Sequence, residues 1–99
     1  MRVVTISGSM KFVKEMMTEA RRLAFAGYCV LTPVFPVDDD KKPTKKQLQL
    51  LSDEFLKKIE LSDVLFVVNK DGYIGESVRS EIGYVESLGK EILYFTDKK

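Results

Sequence analysis

The sequence predicts a three-layer α/β domain with a parallel four-stranded sheet. Short apolar segments alternate with segments of helical period in the order β-α-β-α-β-α-β, and parallel strands require right-handed crossovers of this kind. In addition, Val64 to Val68 is continuously apolar, which is typical of a central strand buried on both faces. We therefore expect a doubly wound, flavodoxin- or Rossmann-like sheet in the order 2-1-3-4, with a crevice between the first and third strands.

The first half of the chain supplies two strands and a helix. Arg2 to Ile6 is rich in β-branched residues and ends in the turn Ser7-Gly8-Ser9, which is typical of a buried strand. The next segment has the helical period and ends at Gly27, and Tyr28 to Thr32 is a second apolar strand. The apolar positions of the helix are Val13, Met16, Met17, Ala20, Leu23 and Ala24.

A charged loop follows the second strand and runs to Pro43. With roughly ten residues it is longer than most connections, which indicates a functional or a mobile segment. Its acidic run, Asp38 to Asp40, could suggest a Mg²⁺ site, but Lys41 and Lys42 neutralise it. We therefore favour a solvated loop over a metal site.

The second half of the chain supplies two helices and two strands. Thr44 to Gln47 has the spacing of a capping box and opens a helix that ends near Ser62-Asp63. After the strand that begins at Val64, a helix with Ser77 as its N-cap runs to Gly89, and a last strand follows. The apolar positions of the earlier helix are Leu48, Leu51, Phe55 and Ile59, and the last strand covers Ile92 to Phe95.

The composition indicates a single small domain, residues 1–99, without a global charge. Sixteen basic and fifteen acidic residues give a net charge of +1, so no long-range field attracts a nucleic acid polymer or an anionic membrane. No signal peptide or long apolar run is present, and we expect a cytoplasmic protein. The single cysteine, Cys29, lies in an apolar run and is predicted to be a small buried side chain in a reducing compartment.

The absence of histidine excludes several classes of chemistry. Ser-His and Cys-His nucleophiles and histidine-bearing zinc sites are impossible within this chain, and one cysteine cannot form a thiolate metal site. We expect no metal and no cofactor. Acid or base catalysis near neutral pH would fall to carboxylates, tyrosine, lysine or the ligand itself.

Glu81 lies where an acid is not expected, because it falls within the apolar stripe of the last helix. That stripe consists of Val78, Ile82, Val85 and Leu88. One interpretation is that Glu81 merely occupies the start of the helix, where the macrodipole favours negative charge. The other is that it lines a pocket at the carboxyl edge of the sheet and acts there as a nucleophile or base.

The two loops that end on the predicted crevice offer binding groups, each with a structural alternative. Ser7-Gly8-Ser9 could bind an anion or a sugar hydroxyl, but short strand-to-helix turns need such residues for geometry alone. Neither a Gly-x-Gly-x-x-Gly motif nor a P-loop is present. Tyr73 could stack on a base or cover the core, Lys11 and Arg79 could bind phosphate or remain solvated, and Asp63 has the position of a turn or capping carboxylate.

The chain contains four short motifs, which are Ile6 to Ser9, Ser62-Asp63 leading into the third strand, Glu81 to Tyr84, and Gly89-Lys90. Their order resembles that of the nucleoside 2-deoxyribosyltransferase superfamily. That superfamily includes the deoxynucleoside monophosphate N-glycosidases, and the resemblance covers most of the chain. It implies that Glu81 attacks the anomeric carbon in a double displacement with a glycosyl-enzyme ester. The sequence departs from the family pattern where Phe55 and Gly75 occupy positions that usually carry acids.

Three hypotheses therefore remain open: a glutamate-dependent enzyme that cleaves or exchanges an N-glycosidic bond, a non-catalytic nucleotide-binding or sensor domain, and a small interaction domain. The first implies a nucleoside or nucleoside 5'-monophosphate ligand. The resemblance and the small size of the domain also imply a homo-oligomer in which a neighbour completes the site. With Glu81 as the catalytic residue, the residues predicted to bind the substrate are Ser7, Gly8, Ser9, Met10, Asp63, Tyr73, Gly75 and Ser77.

Overall fold

The computed structural model describes residues 1–37 and 41–96, and it confirms the predicted parallel sheet. The strands pair in the order β2-β1-β3-β4, all in parallel. The switch between β1 and β3 therefore lies where the sequence predicts it. The elements are β1 (Val3–Gly8), a 3-10 helix (Met10–Phe12), α1 (Val13–Phe25), β2 (Cys29–Leu31), α2 (Lys45–Leu61), β3 (Val64–Val68), a second 3-10 helix (Lys70–Gly72), α3 (Glu76–Ser87) and β4 (Glu91–Tyr94).

β1 ends two residues later than the apolar run from Arg2 to Ile6 predicts. Ser7 and Gly8, which the sequence assigns to a turn, continue the pairing with β3. Gly8 is needed there because a Cβ atom at this position would lie 3.1 Å from the sulfur of Met16 and 3.2 Å from the carbonyl oxygen of Val68. The pairing with β3 thus extends to Gly8 and places Ser7 within the sheet.

The helices form two layers, with α1 on one face of the sheet and α2 and α3 on the other. Alternate residues of each strand point to opposite faces, so the two cores divide the strands between them. The core beneath α1 contains Val4, Ile6, Phe12, Met16, Leu23, Val64, Phe66 and Val68. The core beneath α2 and α3 contains Phe55, Ile59, Leu65, Val67, Val78 and Val85. All five residues of β3 are buried, as the continuous apolar run predicts.

Several predictions about burial are wrong. On α1, Met17 and Ala24 are exposed although they share the helical period of Met16 and Leu23. Cys29 is exposed, because β2 is a three-residue strand at the edge of the sheet. On α2, Leu48 and Leu51 are exposed although they share the helical period of Phe55, so only the later part of that stripe packs on the sheet. Leu88 is also exposed, because it is the C-cap of α3 and lies beyond its last helical residue.

The helix ends confirm one predicted cap and correct another. Thr44 and Gln47 form the predicted capping box at the start of α2. The N-cap of α3 is Gly75 and not Ser77. Ser77 lies inside the first turn of the helix and is exposed on its surface. The acidic run from Asp38 to Asp40, which we predict to be part of a solvated loop, falls outside the described residues. In the described part of the chain, no helix has the length and apolar character needed to cross a membrane.

Candidate functional site

The carboxyl ends of β1 and β3 form the crevice, and side-chain contacts join the loops that leave them. Gly8 pairs with Val68 at the last register position of the two strands. In the loops beyond, the Lys11 ammonium lies 3.3 Å from the centre of the Tyr73 ring. The Lys70 ammonium lies 2.8 Å from the Glu15 carboxylate. The first loop and the loop before α3 therefore meet at one edge of the sheet, as predicted.

Ser7 links β1 to α3 across this crevice. The alternation of the strand directs Ser7 to the face covered by α2 and α3, and the residue is fully buried. Its hydroxyl donates a hydrogen bond of 2.6 Å to Oε1 of Glu81. Because Ser7 is fixed by the pairing of β1 with β3, its hydrogen bond fixes the position of one carboxylate oxygen of Glu81.

Glu81 is partly buried, whereas the apolar stripe predicted a largely buried side chain. Its second oxygen, Oε2, lies 3.4 Å from the hydroxyl of Ser77, one helical turn earlier and exposed. The carboxylate therefore lies across the boundary between the core and the crevice, with one oxygen on the buried Ser7 and the other towards the surface.

The two hydroxyls and the burial act in opposite directions on the ionisation of Glu81. Burial raises the pKa of Glu81 above its ordinary value of 4.5, while the hydrogen bonds from Ser7 and Ser77 lower it, and burial has the larger effect. In the described part of the chain, neither a second carboxylate nor a cation contributes to the shift in the pKa of Glu81. Glu81 is thus a carboxylate held by hydroxyls, without an ion-pair partner in residues 1–37 and 41–96.

The other residues predicted at the crevice surround it to different degrees. Ser9 caps the first 3-10 helix, where its hydroxyl accepts a hydrogen bond from the backbone N–H of Lys11 at 3.3 Å. Met10, the next residue, is exposed. Tyr73 is exposed and packs edge-to-face on Phe12 at 6.0 Å. Gly75 is the N-cap of α3, and a Cβ atom there would lie 3.4 Å from the Tyr73 hydroxyl.

Asp63 does not belong to this group of residues. It directly precedes β3, so in a parallel sheet it lies at the amino edge, opposite the crevice. There its Oδ2 accepts a hydrogen bond of 2.8 Å from the backbone N–H of Val3. Asp63 thus has the capping role that its position before a strand suggests, and the structure gives it no place beside Glu81.

Asn69 is a residue at the crevice edge that the sequence analysis does not single out. It follows β3 directly and is fully buried, and its Oδ1 accepts a hydrogen bond of 3.1 Å from the backbone N–H of Thr96. Asn69 therefore joins the end of β3 to the segment after β4. A polar residue immediately after a continuously apolar strand is the sequence signal that could have identified it.

The acids nearest in sequence to Phe55, where the superfamily that the chain resembles usually carries an acid, contact other side chains of α2. Phe55 is in the core beneath α2 and α3. Asp53 accepts a hydrogen bond from Gln49 at 2.9 Å, and Glu54 pairs with Lys58 at 2.8 Å. Across residues 1–37 and 41–96, no three acidic or cysteine side chains converge as a metal site would require.

Comparison with known proteins supports the fold alone. No family model and no curated protein matches the chain. The crystal structure of a conserved protein from Enterococcus faecalis V583 has a similar fold, with a TM-score of 0.65 and 19% sequence identity. The match covers 99% of this chain and 65% of the length of that one.

Proposed function

We propose that the protein cleaves or exchanges the N-glycosidic bond of a nucleoside, deoxynucleoside or nucleoside 5'-monophosphate, with Glu81 as the nucleophile. One observation carries the proposal: the Glu81 carboxylate lies at the carboxyl edge of β1 and β3 and accepts hydrogen bonds from Ser7 at 2.6 Å and from Ser77. Two hydroxyl donors favour the ionised form that a nucleophile needs and orient it. The same edge is where ligands bind in open α/β sheets.

The proposed reaction is a double displacement. A carboxylate oxygen of Glu81 forms a bond to the anomeric carbon while the carbon–nitrogen bond breaks, and the base leaves with the bonding electrons and takes up a proton. Water or a second base then attacks the same carbon, and the glycosyl ester releases Glu81 as a carboxylate. Attack by water gives hydrolysis, and attack by a base gives exchange.

The surrounding loops supply groups suited to such a ligand. The exposed ring of Tyr73 offers an aromatic surface for a base, although one face already carries the Lys11 ammonium. The Lys11 ammonium lies at the same edge and suits an anionic ligand such as a 5'-phosphate. These contacts support a nucleoside or nucleotide as the small-molecule ligand.

A second function, nucleotide binding without cleavage, is favoured by a specific observation. In the described part of the chain, no second carboxylate contributes to the pKa of Glu81, and Phe55 occupies the core where the family carries an acid. Retaining glycosidases use two carboxylates about 5 to 5.5 Å apart. Without a second acid, the leaving base would have to take its proton from solvent or from a neighbouring subunit.

The test is a cleavage assay with nucleosides and nucleoside 5'-monophosphates, with and without an acceptor base, on the wild type and Glu81→Gln. The wild type should release free base, and Glu81→Gln should reduce the rate by roughly a thousandfold or more while preserving the fold. Mass spectrometry of the quenched wild type should detect a glycosyl adduct on Glu81 that the variant lacks.

Glu86→Gln is the matched control, because Glu86 lies on the exposed side of the same helix. It removes one carboxylate from α3 without touching the crevice and should retain full activity. Ligand binding without base release by the wild type would replace the enzyme proposal with the binding function. Equal activity in wild type and Glu81→Gln would exclude Glu81 as the nucleophile.

A further inference from the structure

The segment between β3 and α3 lies across the carboxyl edge of the sheet. The connection that follows β1 leads to α1 on one face, and the connection that follows β3 leads to α3 on the other. Connections that diverge in this way leave a crevice at the ends of the strands. Residues 70–74, here termed the strap, contact both faces of the sheet, so they span the mouth of that crevice.

Two adjacent residues of the strap pack on opposite faces of the sheet. Tyr73 packs edge-to-face on Phe12, with 6.0 Å between the ring centres, and Phe12 belongs to the core beneath α1. Ile74 packs against the core beneath α2 and α3. The Glu81 carboxylate and its partner Ser7 lie on this second face at the same edge. The strap therefore passes from one core to the other over the edge at which the carboxylate lies.

Two side-chain contacts hold the strap against the α1 side of the sheet. The Lys70 ammonium lies 2.8 Å from the Glu15 carboxylate, and the Lys11 ammonium lies 3.3 Å from the centre of the Tyr73 ring. Lys70 and Tyr73 are exposed, so water and salt compete with both contacts and each contact is weak. A segment held by a few weak contacts opens and closes readily.

The two ends of the strap are fixed, in contrast to its middle. Asn69, directly before it, is fully buried, and its side-chain oxygen accepts a hydrogen bond of 3.1 Å from the backbone N–H of Thr96. Gly75, directly after it, is the N-cap of α3, and its carbonyl oxygen accepts a hydrogen bond of 2.9 Å from the N–H of Arg79. Asn69 and Gly75 are therefore the points between which the strap can open.

The backbone hydrogen bonds of the strap are local. The N–H of Gly72 donates to the carbonyl oxygen of Asn69 at 2.8 Å, and the N–H of Tyr73 donates to that of Lys70 at 3.1 Å. Asp71 and Gly72 are in the left-handed region, with φ of 57° and 77°, which glycine adopts freely and aspartate at some cost. Because a single turn is marginal in water by itself, these two bonds depend on the side-chain contacts that seat the strap.

We propose that the strap gates the crevice, closed while Lys70 and Lys11 hold it against the α1 side and open when those contacts break. Both contacts use a lysine ammonium, so an anionic ligand that binds either ammonium releases the strap. Without such a ligand, the closed strap restricts access to Glu81. The gate is independent of any reaction at Glu81, and its use in admitting a nucleoside 5'-monophosphate rests on the proposed function.

The experiment measures backbone hydrogen exchange by NMR on the full chain, at the N–H groups of Gly72 and Tyr73. Glu15→Gln removes the ion pair without changing the strap, and it should speed exchange at both positions about two- to fivefold. Glu15→Lys with Lys70→Glu in the same chain should restore the slower rate, because the pair forms again with its charges exchanged. Raising the salt concentration should speed exchange more in the wild type than in Glu15→Gln.

Glu19→Gln is the matched control, because Glu19 lies one turn later on α1 and pairs with Arg22 at 2.7 Å instead of with the strap. It removes the same charge from the same helix and should leave exchange in the strap unchanged. Thermal unfolding and slow exchange of the buried strand β3 establish that each variant is folded. Unchanged exchange in Glu15→Gln, or an equal increase in Glu19→Gln, would overturn the gate.

Binding of deoxyadenosine 5'-monophosphate, with deoxyadenosine as the uncharged reference, tests the use of the gate. If the ligand binds only the open form, Glu15→Gln should lower the dissociation constant of the monophosphate by the same factor by which it speeds exchange. Glu19→Gln should leave that constant unchanged. A monophosphate that binds wild type and Glu15→Gln equally would overturn the gate as the route to the crevice. Faster exchange in a protein that binds neither compound would retain the gate and count against the proposed function.

Discussion

The two edges of the sheet differ in how completely the protein binds its own polar groups. At the amino edge, the Lys90 ammonium donates hydrogen bonds to three carbonyl oxygens, those of Ile59, Glu60 and Ser62, at 3.2, 2.7 and 2.6 Å. At the carboxyl edge, the Glu81 carboxylate has two hydroxyl partners, and one of these, Ser77, is 3.4 Å away. The cation at the amino edge thus has three partners within the fold, whereas the carboxylate at the carboxyl edge has one close partner, Ser7.

The same contrast holds for the buried hydroxyls of β1. Thr5, nearer the amino edge, forms a hydrogen bond with Ser62 and also donates to the carbonyl oxygen of Lys58. Ser7, two residues later on the same face, donates to Glu81. Thr5 thus binds groups that are already within the fold, whereas Ser7 holds a carboxylate that faces the crevice. Of these two buried hydroxyls, the one at the amino edge joins groups within the fold, and the one at the carboxyl edge holds a partly buried carboxylate.

The largest expected effect on stability is at the amino edge. Lys90→Met removes three hydrogen bonds to carbonyl oxygens at the carboxyl-terminal end of α2. It should therefore lower the free energy of unfolding, measured by urea titration, by about 2 kcal/mol. The matched control is Lys57→Met, where an exposed ammonium lies 3.9 Å from Glu60 and should contribute nothing measurable. Equal losses in the two variants would remove the distinction between a capping lysine and a surface lysine.

Two glycines test how tightly the carboxyl edge is packed. Gly8→Ala should lower the free energy of unfolding by about 1 to 2 kcal/mol, because its Cβ atom would crowd Met16 and Val68. Gly83→Ala should raise it by about 0.5 to 1 kcal/mol, since Gly83 lies within α3 and a Cβ atom there meets nothing within 4 Å. Thermal unfolding of both variants measures the difference, and effects of the same sign would contradict the packing described here.

Ser7 and Ser77 should differ in their influence on Glu81. Ser7→Ala removes a buried donor at 2.6 Å and should raise the pKa of Glu81 further, at a cost of about 1 kcal/mol in stability. Ser77→Ala removes an exposed contact of 3.4 Å and should raise this pKa less. Carboxyl carbon chemical shifts followed by NMR during a pH titration report the pKa directly. A larger change from Ser77→Ala would show that the surface hydroxyl, and not the strand, holds the carboxylate.

The smallest expected effect is the contribution of Glu81 to the pH dependence of stability. Since burial raises the pKa of Glu81 above 4.5, the folded chain holds this proton more tightly than the unfolded chain. The resulting stability is fully present below the ordinary pKa and is lost as the pH rises through the raised pKa. Glu81→Gln, which stays neutral, should therefore gain stability relative to the wild type between acidic and neutral pH.

Urea unfolding at a series of pH values measures this difference, and Glu86→Gln is the control for the loss of one charge from α3. A stability difference between wild type and Glu81→Gln that does not change with pH would mean that the fold does not perturb the carboxyl group. The crevice would then resemble an ordinary solvated surface, and the contrast between the two edges would be weaker.

The order of the elements, the parallel sheet and the switch between β1 and β3 could be predicted from the sequence. These follow from local patterns, since the continuous apolar run from Val64 to Val68 and the capping box at Thr44 act through nearby residues. It also placed Glu81 near serine hydroxyls, because strand ends and helix starts meet at one edge in this topology.

The burial of individual side chains and the pairing of polar groups depend on the packing of distant segments and could not be predicted from local patterns. Leu51 and Phe55 share a helical stripe, yet only Phe55 reaches the sheet, because burial depends on where the sheet ends beneath the helix. Asp63, predicted among the residues that bind the substrate, lies at the opposite edge because it directly precedes a parallel strand, which the predicted topology already implied. The partner of Glu81 was likewise settled by packing: Ser7 entered the sheet because β1 continues its pairing with β3 to Gly8, a contact between residues about sixty positions apart.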